Sequence, residues 1–185
     1  MRTSFNGSSL RKGDIITADD YNIEIDTYPH EIAKNFENTK DAPKNSIRYL
    51  NTTRRHIMDE IPHINAVARA LEEDPNELDD NRLEAQVEDG TLKMSSVWEG
   101  DWEGRKAATC QERAITLNLL YKQLGLTSKY QQGQIKLENG IWSEHGWTTV
   151  KTEQTEYISD PSKSGDGVIP VKDRDRYSPG NIIIE

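Results

Sequence analysis

A strongly periodic apolar segment, followed at once by strand-like segments, constrains the fold of this chain more than any other feature. The spacing predicts a helix from Thr109 to Leu124, which Gly125 ends, because glycine readily adopts the left-handed conformation found after helices. Its apolar residues form one stripe with two flanking positions: Ala114, Leu117, Leu120, Tyr121 and Leu124, flanked by Ile115 and Leu119. Such a stripe must be covered by another element.

The segments after this helix predict an antiparallel sheet. Strands are expected at Ser128–Leu137, Ile141–Lys151 and Glu156–Ser159, with a last strand at Asn181–Ile184. Asn139-Gly140 separates the first two, and this pair is typical of β-hairpins because both residues tolerate positive φ. Since helices come first and an antiparallel sheet follows, the order predicts an α+β fold.

The N-terminal half predicts further helices. Apolar residues recur at helical spacing over Asn45–Glu73, and Pro62 should split this segment because proline has no amide hydrogen to donate. Asp74 and Pro75 then suit the start of a helix that runs to about Asp89-Gly90. We therefore expect a mainly helical part over residues 1–100.

The length and composition predict one domain. The 185 residues suffice for a single core, with residues 101–185 carrying the periodic helix and the sheet. Apolar residues are 34% of the chain, and no run approaches the ~20 needed to span a bilayer. The N-terminal residues hold no apolar signal segment, so a cytoplasmic location is expected. The single cysteine excludes an internal disulfide.

Charge is concentrated in one segment. Leu71–Asp89 holds nine acidic residues and one base, Arg82, and so carries most of the net charge of −9. Nucleic acid is excluded as an expected partner because binding phosphates requires a basic surface. The ordinary interpretation of this segment is a solvated helix face, and the alternative is a docking surface for a basic partner.

Cys110 lies where a reactive cysteine is expected. Thr109-Cys110-Gln111-Glu112 matches the capping box, in which Thr109 caps the helix and Glu112 reaches back to the Thr109 amide. Cys110 would then be the first helical residue, where free amides and the helix dipole stabilise a thiolate and an oxyanion. The alternative is a buried structural cysteine. His145 and Asp160 follow in the order of a nucleophile, base and orienting acid.

Four motifs from Cys110 to Ser162 carry a family resemblance. They read Cys110-Gln111-Glu112-Arg113-Ala114, Gly125-Leu126-Thr127-Ser128-Lys129-Tyr130-Gln131-Gln132-Gly133, His145-Gly146-Trp147 and Asp160-Pro161-Ser162. In this order they resemble the transglutaminase-like superfamily, which has the papain-like cysteine protease fold. The first 100 residues show no such resemblance. Ala108 departs from the family pattern, where glycine commonly stands two residues before the cysteine.

The resemblance implies a role for each matching residue. Cys110 would be the nucleophile, His145 the base that later protonates the leaving amine, and Asp160 the residue that orients the imidazole. The implied fold is a papain/transglutaminase-like core in which the nucleophile-bearing helix packs on an antiparallel sheet.

Three further residues are candidates for oxyanion or substrate binding. They are Trp102, Gln111 and Trp147, chosen for their donors and their positions near the motifs. No zinc motif is present, and His56 and His63 are expected at the surface. Neither a metal nor a cofactor is expected.

The predicted function is cysteine-dependent hydrolysis of an amide bond in a protein or peptide, as a protease or amidase acting through a thioester. One alternative is a transamidase or deamidase that acts on protein glutamine. The other is a non-catalytic binding module that retains the fold, with residues 71–89 as its docking surface.

Overall fold

A computed structural model describes residues 1–36, 42–162 and 167–185, and it contains two largely antiparallel sheets together with helices. The helices are α1 (His30–Lys34), α2 (Ile47–Glu60), α3 (Ile64–Leu71), α4 (Pro75–Gln86), α5 (Met94–Glu99) and α6 (Cys110–Gln123). The strands are β1 (Arg2–Ser4), β2 (Ile15–Thr17), β3 (Asn22–Glu24), β4 (Val87–Glu88), β5 (Thr91–Lys93), β6 (Thr127–Lys136), β7 (Trp142–Lys151), β8 (Glu156–Ser159), β9 (Val168–Pro170), β10 (Tyr177–Pro179) and β11 (Ile182–Ile184). The predicted α+β class is confirmed.

A five-stranded antiparallel sheet supports α6. Its order is β10-β6-β7-β8-β9, and the long β6–β7 hairpin forms its centre, as the Asn139-Gly140 pair predicts. The α6 helix packs on β6 and β7, where the Thr148 hydroxyl donates to the Ala114 carbonyl at 2.7 Å. The expected packing of α6 on an antiparallel sheet is thus confirmed.

A second sheet joins the two ends of the chain. Its six strands run in the order β1-β11-β2-β3-β5-β4, and only the β3–β5 pair is parallel. Ile184 of β11 lies opposite both Arg2 of β1 and Ile16 of β2. Buried side chains from this sheet, such as Ile16 and Ile184, belong to the same core cluster as the apolar residues of α6.

The α6 helix is buried on all sides, whereas the sequence predicts a single apolar stripe. Every residue from Glu112 to Tyr121 is buried, because α2 and the five-stranded sheet both pack on this helix. Four of these residues are polar or charged: Glu112, Arg113, Thr116 and Asn118. The residues of the predicted apolar stripe are buried from Ala114 to Tyr121, and the polar positions beside them are buried as well.

The N-terminal helices follow the prediction with one correction. The break at Pro62 separates α2 from α3, as expected. However, α4 ends at Gln86 rather than near Gly90, because β4 and β5 pair around a tight turn in which Asp89 and Gly90 both have positive φ. Within the described ranges, no helix is long and apolar enough to cross a membrane. The expectation of one domain stays a prediction.

Candidate functional site

Backbone pairing fixes the segment that leads into Cys110. The Ala108 amide donates to the Pro62 carbonyl at 3.1 Å, and the Ile64 amide donates to the Ala108 carbonyl at 3.0 Å. Thr109 is the extended N-cap residue of α6, so Cys110 is the first helical residue, as predicted. Cys110 is half-buried. The loop between α2 and α3 therefore holds the start of α6 in place.

The predicted capping box is wrong. No side-chain hydrogen bond caps α6 at Thr109, and the Thr109 hydroxyl instead donates to the Glu112 carboxylate. Glu112 is fully buried, and its carboxylate accepts from Arg82 of α4 at 2.9 Å. Since this buried arginine is the stronger partner for a carboxylate, Glu112 is drawn into the interior. The pKa of Glu112 is lowered, because Arg82 and hydrogen bonds outweigh the burial that opposes its charge.

The structure brings His145 and Asp160 together and places Cys110 beside them. His145 Nε2 lies 2.8 Å from Asp160 Oδ2, which leaves Nδ1 as the ring nitrogen available to Cys110. Burial lowers the pKa of His145, but hydrogen bonds to Asp160 and Cys110 raise it more, to about 10. An imidazole with these two partners can hold a proton next to the thiol and can later release it.

Asp160 is fully buried, and several donors hold its carboxylate. Oδ1 accepts from the Ser162 amide at 2.9 Å, and Oδ2 accepts from the Tyr177 hydroxyl at 2.8 Å. Arg54 Nη1 donates to the Asp160 main-chain carbonyl at 3.1 Å. Burial raises the pKa of Asp160, yet the bonds from His145, Ser162 and Tyr177 lower it below its usual value. The carboxylate therefore stays charged and fixed in orientation.

Gly146 permits the close approach of α6 to β7. A Cβ atom at Gly146 would lie 3.0 Å from Gln111 Cα and 3.3 Å from Tyr130 Cε2. Gly146 and Thr148 thus face α6, while His145 lies on the alternate side of β7 with Trp147. The β8 strand pairs with β7 only from Thr148 onward, so the edge of β7 at His145 is open to Asp160.

The other predicted site residues lie in different places. Trp147 is buried and stacks on His145 with ring centroids 6.1 Å apart, and Gln111 is half-buried beside Gly146. Trp102 packs in a separate apolar cluster near α3 and α4, with Arg105 over its ring. A role for these three side chains in oxyanion or substrate binding stays a prediction.

Sequence reasoning missed three residues of the site. Tyr177 holds Asp160 from β10, seventeen residues further along the chain. Arg113 is buried one helical turn after Cys110, and its charge interacts with Asp160 and Cys110. His63 was expected at the surface, but it is half-buried, and burial and the Arg113 charge lower its pKa to about 4. Of the three, only Arg113 could have been identified from the sequence, because it is a charged residue on a helix face that is otherwise buried.

The one basic residue of the acidic segment 71–89 is not exposed to water. Arg82 is fully buried between Asp79 and Glu112, at 2.8 and 2.9 Å. Asp74 caps α4 through the Asn76 and Glu77 amides. In the described part of the chain, no group of three or more histidine, cysteine, aspartate and glutamate side chains is arranged to hold a metal ion.

Comparisons with known proteins gave structural neighbours alone, since no family model and no curated protein matches the chain. One neighbour is "Crystal structure of a TGase", with 13% identity and a TM-score of 0.46 over 75% of this chain and 31% of that one. Another is a "Putative Cysteine Protease from Cytophaga hutchinsonii", with 14% identity and a TM-score of 0.44 over 85% of this chain and 49% of that one.

This chain spans about a third of the length of the first neighbour and about half of the length of the second. Such TM-scores and identities carry no activity, substrate or partner over to this chain.

Proposed function

We propose that this protein is a cysteine-dependent acyl transferase that hydrolyses amide bonds through a thioester at Cys110. The observation that supports this most is the buried His145–Asp160 pair, 2.8 Å apart. Cys110 lies near enough to this pair for its interaction with the imidazole to help raise the pKa of His145. Cys110 is half-buried at the first position of a long helix, which is where a thiolate is stabilised. These features match the requirements of a nucleophile, a base and an orienting acid.

The reaction would proceed in two displacements. The Cys110 thiolate attacks the amide carbonyl carbon, the C–N bond breaks, and His145 gives its proton to the departing amine. Water then attacks the thioester while His145 takes a proton from it, and the C–S bond breaks to release the acid. Asp160, held by Tyr177 and Ser162, keeps the imidazole oriented in both steps.

The acceptor in the second step distinguishes hydrolysis from the alternative transamidase or deamidase function. A glutamine-containing peptide incubated with and without a primary amine, followed by mass spectrometry, separates the outcomes. Cleaved peptide bonds support a protease. Ammonia release with amine incorporation, or with conversion of glutamine to glutamate, supports the transamidase or deamidase, and the absence of all of them argues against an enzyme acting on peptides.

The first experiment is the pH profile of iodoacetamide alkylation of the sole thiol, in the wild type and in His145→Ala. We expect the wild type to react well below pH 8.5, with a pH midpoint that rises in His145→Ala, because the imidazolium stabilises the thiolate. The matched control is His30→Ala, which removes an exposed histidine on α1. Identical profiles in wild type and His145→Ala would instead support the non-catalytic binding module, with the acidic segment 71–89 as its candidate surface.

A further inference from the structure

Arg113 is a buried charge that has no hydrogen-bond or ion-pair partner in the described part of the chain. Its side chain lies on α6 three residues after Cys110, a spacing that places both residues on the same side of the helix. The residue is only 4% exposed. Within residues 1–36, 42–162 and 167–185 the guanidinium makes no hydrogen bond or ion pair, and its Nε is buried without an acceptor.

The other buried polar side chains of α6 show how unusual this is. Glu112 pairs with Arg82, Thr116 accepts from the Trp98 indole at 2.9 Å, and Asn118 donates to Ser128 at 2.9 Å. Burying a charge without a partner costs several kcal/mol, to order of magnitude, so an apolar residue would pack here more favourably. The stability of the fold therefore does not account for an arginine at position 113.

The groups around Arg113 indicate which negative charge it can stabilise. Burial lowers the pKa of Arg113 to about 10, while the charges of Asp160 and Cys110 oppose this, so the guanidinium is charged at neutral pH. Arg54 of α2 and His63 before α3 also face it. They cannot act as its counter-ions, because both are bases.

One of the two anions beside Arg113 is already satisfied. The Asp160 carboxylate accepts from His145, from the Tyr177 hydroxyl and from the Ser162 amide. Among the described residues, the groups that interact electrostatically with Cys110 are the His145 ring, the Arg113 guanidinium and the buried, neutral Tyr130 hydroxyl of β6. Glu112 of α6 is neutralised by Arg82. The negative charge that lacks a second stabilising group is the one that forms on Cys110.

We propose that Arg113 is a positioning residue that stabilises negative charge on the Cys110 sulfur by a route independent of His145. This inference rests on the proposed function and deepens it, because it assigns the site a fixed positive charge besides the imidazolium. Arg113 would favour the thiolate before it attacks the substrate, and again when the C–S bond breaks and the sulfur leaves as a thiolate. It forms no bond to substrate and acts only through its field.

The test is the pH profile of iodoacetamide alkylation in Arg113→Met and Arg113→Lys. We expect Arg113→Met to alkylate about tenfold more slowly at pH 6 and as fast as the wild type at pH 10, because the stabilisation of a thiolate affects the rate only where the thiol is partly protonated. Arg113→Lys keeps the charge and should recover at least half of the loss on a logarithmic scale. Because methionine suits a buried site, Arg113→Met should unfold at the same temperature as the wild type or higher, a result that a merely structural role would not give.

Matched variants separate the possible failures. Arg105→Met removes a positive charge from the loop before Cys110, where the side chain is 35% exposed and paired with Glu103, and should leave the profile unchanged. If His145→Ala shifts the alkylation profile but Arg113→Met does not, the role of Arg113 is refuted and the proposed function stands. If neither variant shifts it, the proposed function fails as well. If Arg113→Met and Arg113→Lys slow the reaction equally at every pH, the effect is structural and the inference is wrong.

Discussion

At the scale of single residues, the two histidines nearest Cys110 are tuned in opposite directions. Hydrogen bonds to Asp160 and Cys110 raise the pKa of His145 to about 10, although burial opposes this. Burial and the Arg113 charge lower the pKa of His63 to about 4. The fold therefore keeps one imidazole protonated and the other neutral at the same pH. Burial favours the neutral form of both rings, and only at His145 do hydrogen bonds and neighbouring negative charges outweigh it.

The lowered pKa of His63 predicts a loss of stability in acid. The unfolded chain binds a proton at position 63 below about pH 6.5, while the folded chain binds it only near pH 4, so stability falls as the pH falls between these values. His63→Asn removes this proton and keeps an N-cap acceptor for the Asn65 amide. We expect urea unfolding of His63→Asn to depend less on pH between 6.5 and 4.

The control for this prediction is His30→Asn, which removes an exposed histidine that lies elsewhere, on α1. Its unfolding should follow the pH dependence of the wild type. Equal slopes in the wild type and in His63→Asn would show that His63 titrates normally in the fold.

The His145–Asp160 pair makes a separate contribution to the pH dependence of stability. Stability from its imidazolium is lost as the pH rises toward 10, and stability from its carboxylate is lost in acid.

At the scale of elements, the distance between α6 and β7 determines whether the site assembles. Cys110 comes from the first turn of the helix and His145 from the strand, so the two meet only where the elements nearly touch. The absence of a side chain at Gly146 makes this contact possible, since Gln111 occupies the space. A larger gap would separate the thiol from the imidazole without altering either residue.

Gly146→Ala tests this contact. The added methyl would lie 3.0 Å from Gln111 Cα, so α6 must shift, and we expect a stability loss of about 1–3 kcal/mol together with slower alkylation at pH 6. Thermal unfolding and alkylation rates measure the two effects. Ser143→Ala, a half-buried change on the same strand, should alter neither. Wild-type behaviour of Gly146→Ala in both measurements would contradict the argument.

The regular elements were predictable because their signals are local. The periodicity of α6, the hairpin at Asn139-Gly140 and the break at Pro62 each depend on a few neighbouring residues. The reach of Tyr177 to Asp160 was not predictable, because it depends on how five strands arrange around the site. The capping box failed for the same reason, since the distant Arg82 competes for Glu112.

At the scale of the whole molecule, a buried ion pair connects the acidic helix α4 to α6, the helix that carries Cys110. Arg82 of α4 and Glu112 of α6 are both fully buried and 2.9 Å apart. The hydroxyls of Thr109 and Tyr21 also donate to the Glu112 carboxylate. The N-terminal part of the chain, which has no family resemblance in its sequence, thus holds α6 within two residues of Cys110.

Glu112→Gln should be among the most disruptive single changes to stability. It leaves the buried Arg82 with only the partly exposed Asp79 as a counter-ion, and removing one partner of a buried pair costs about 3–5 kcal/mol. Chemical denaturation measures the loss. The double variant Arg82→Met/Glu112→Leu removes both charges and should recover more than half of it. Equal losses in the single and double variants would show that packing, rather than charge, makes this position sensitive.

Because Trp147 stacks on His145, its fluorescence should report the protonation state of the His145 ring. The centroids of the two rings lie 6.1 Å apart, and the angle between the ring planes is 17°. A protonated imidazole next to an indole quenches its fluorescence, whereas a neutral one does so much less. The emission of Trp147, isolated by comparison with Trp147→Phe, should therefore brighten as His145 loses its proton. Intrinsic fluorescence would then follow each change in the charge of His145 in real time, without a label or a chromogenic substrate.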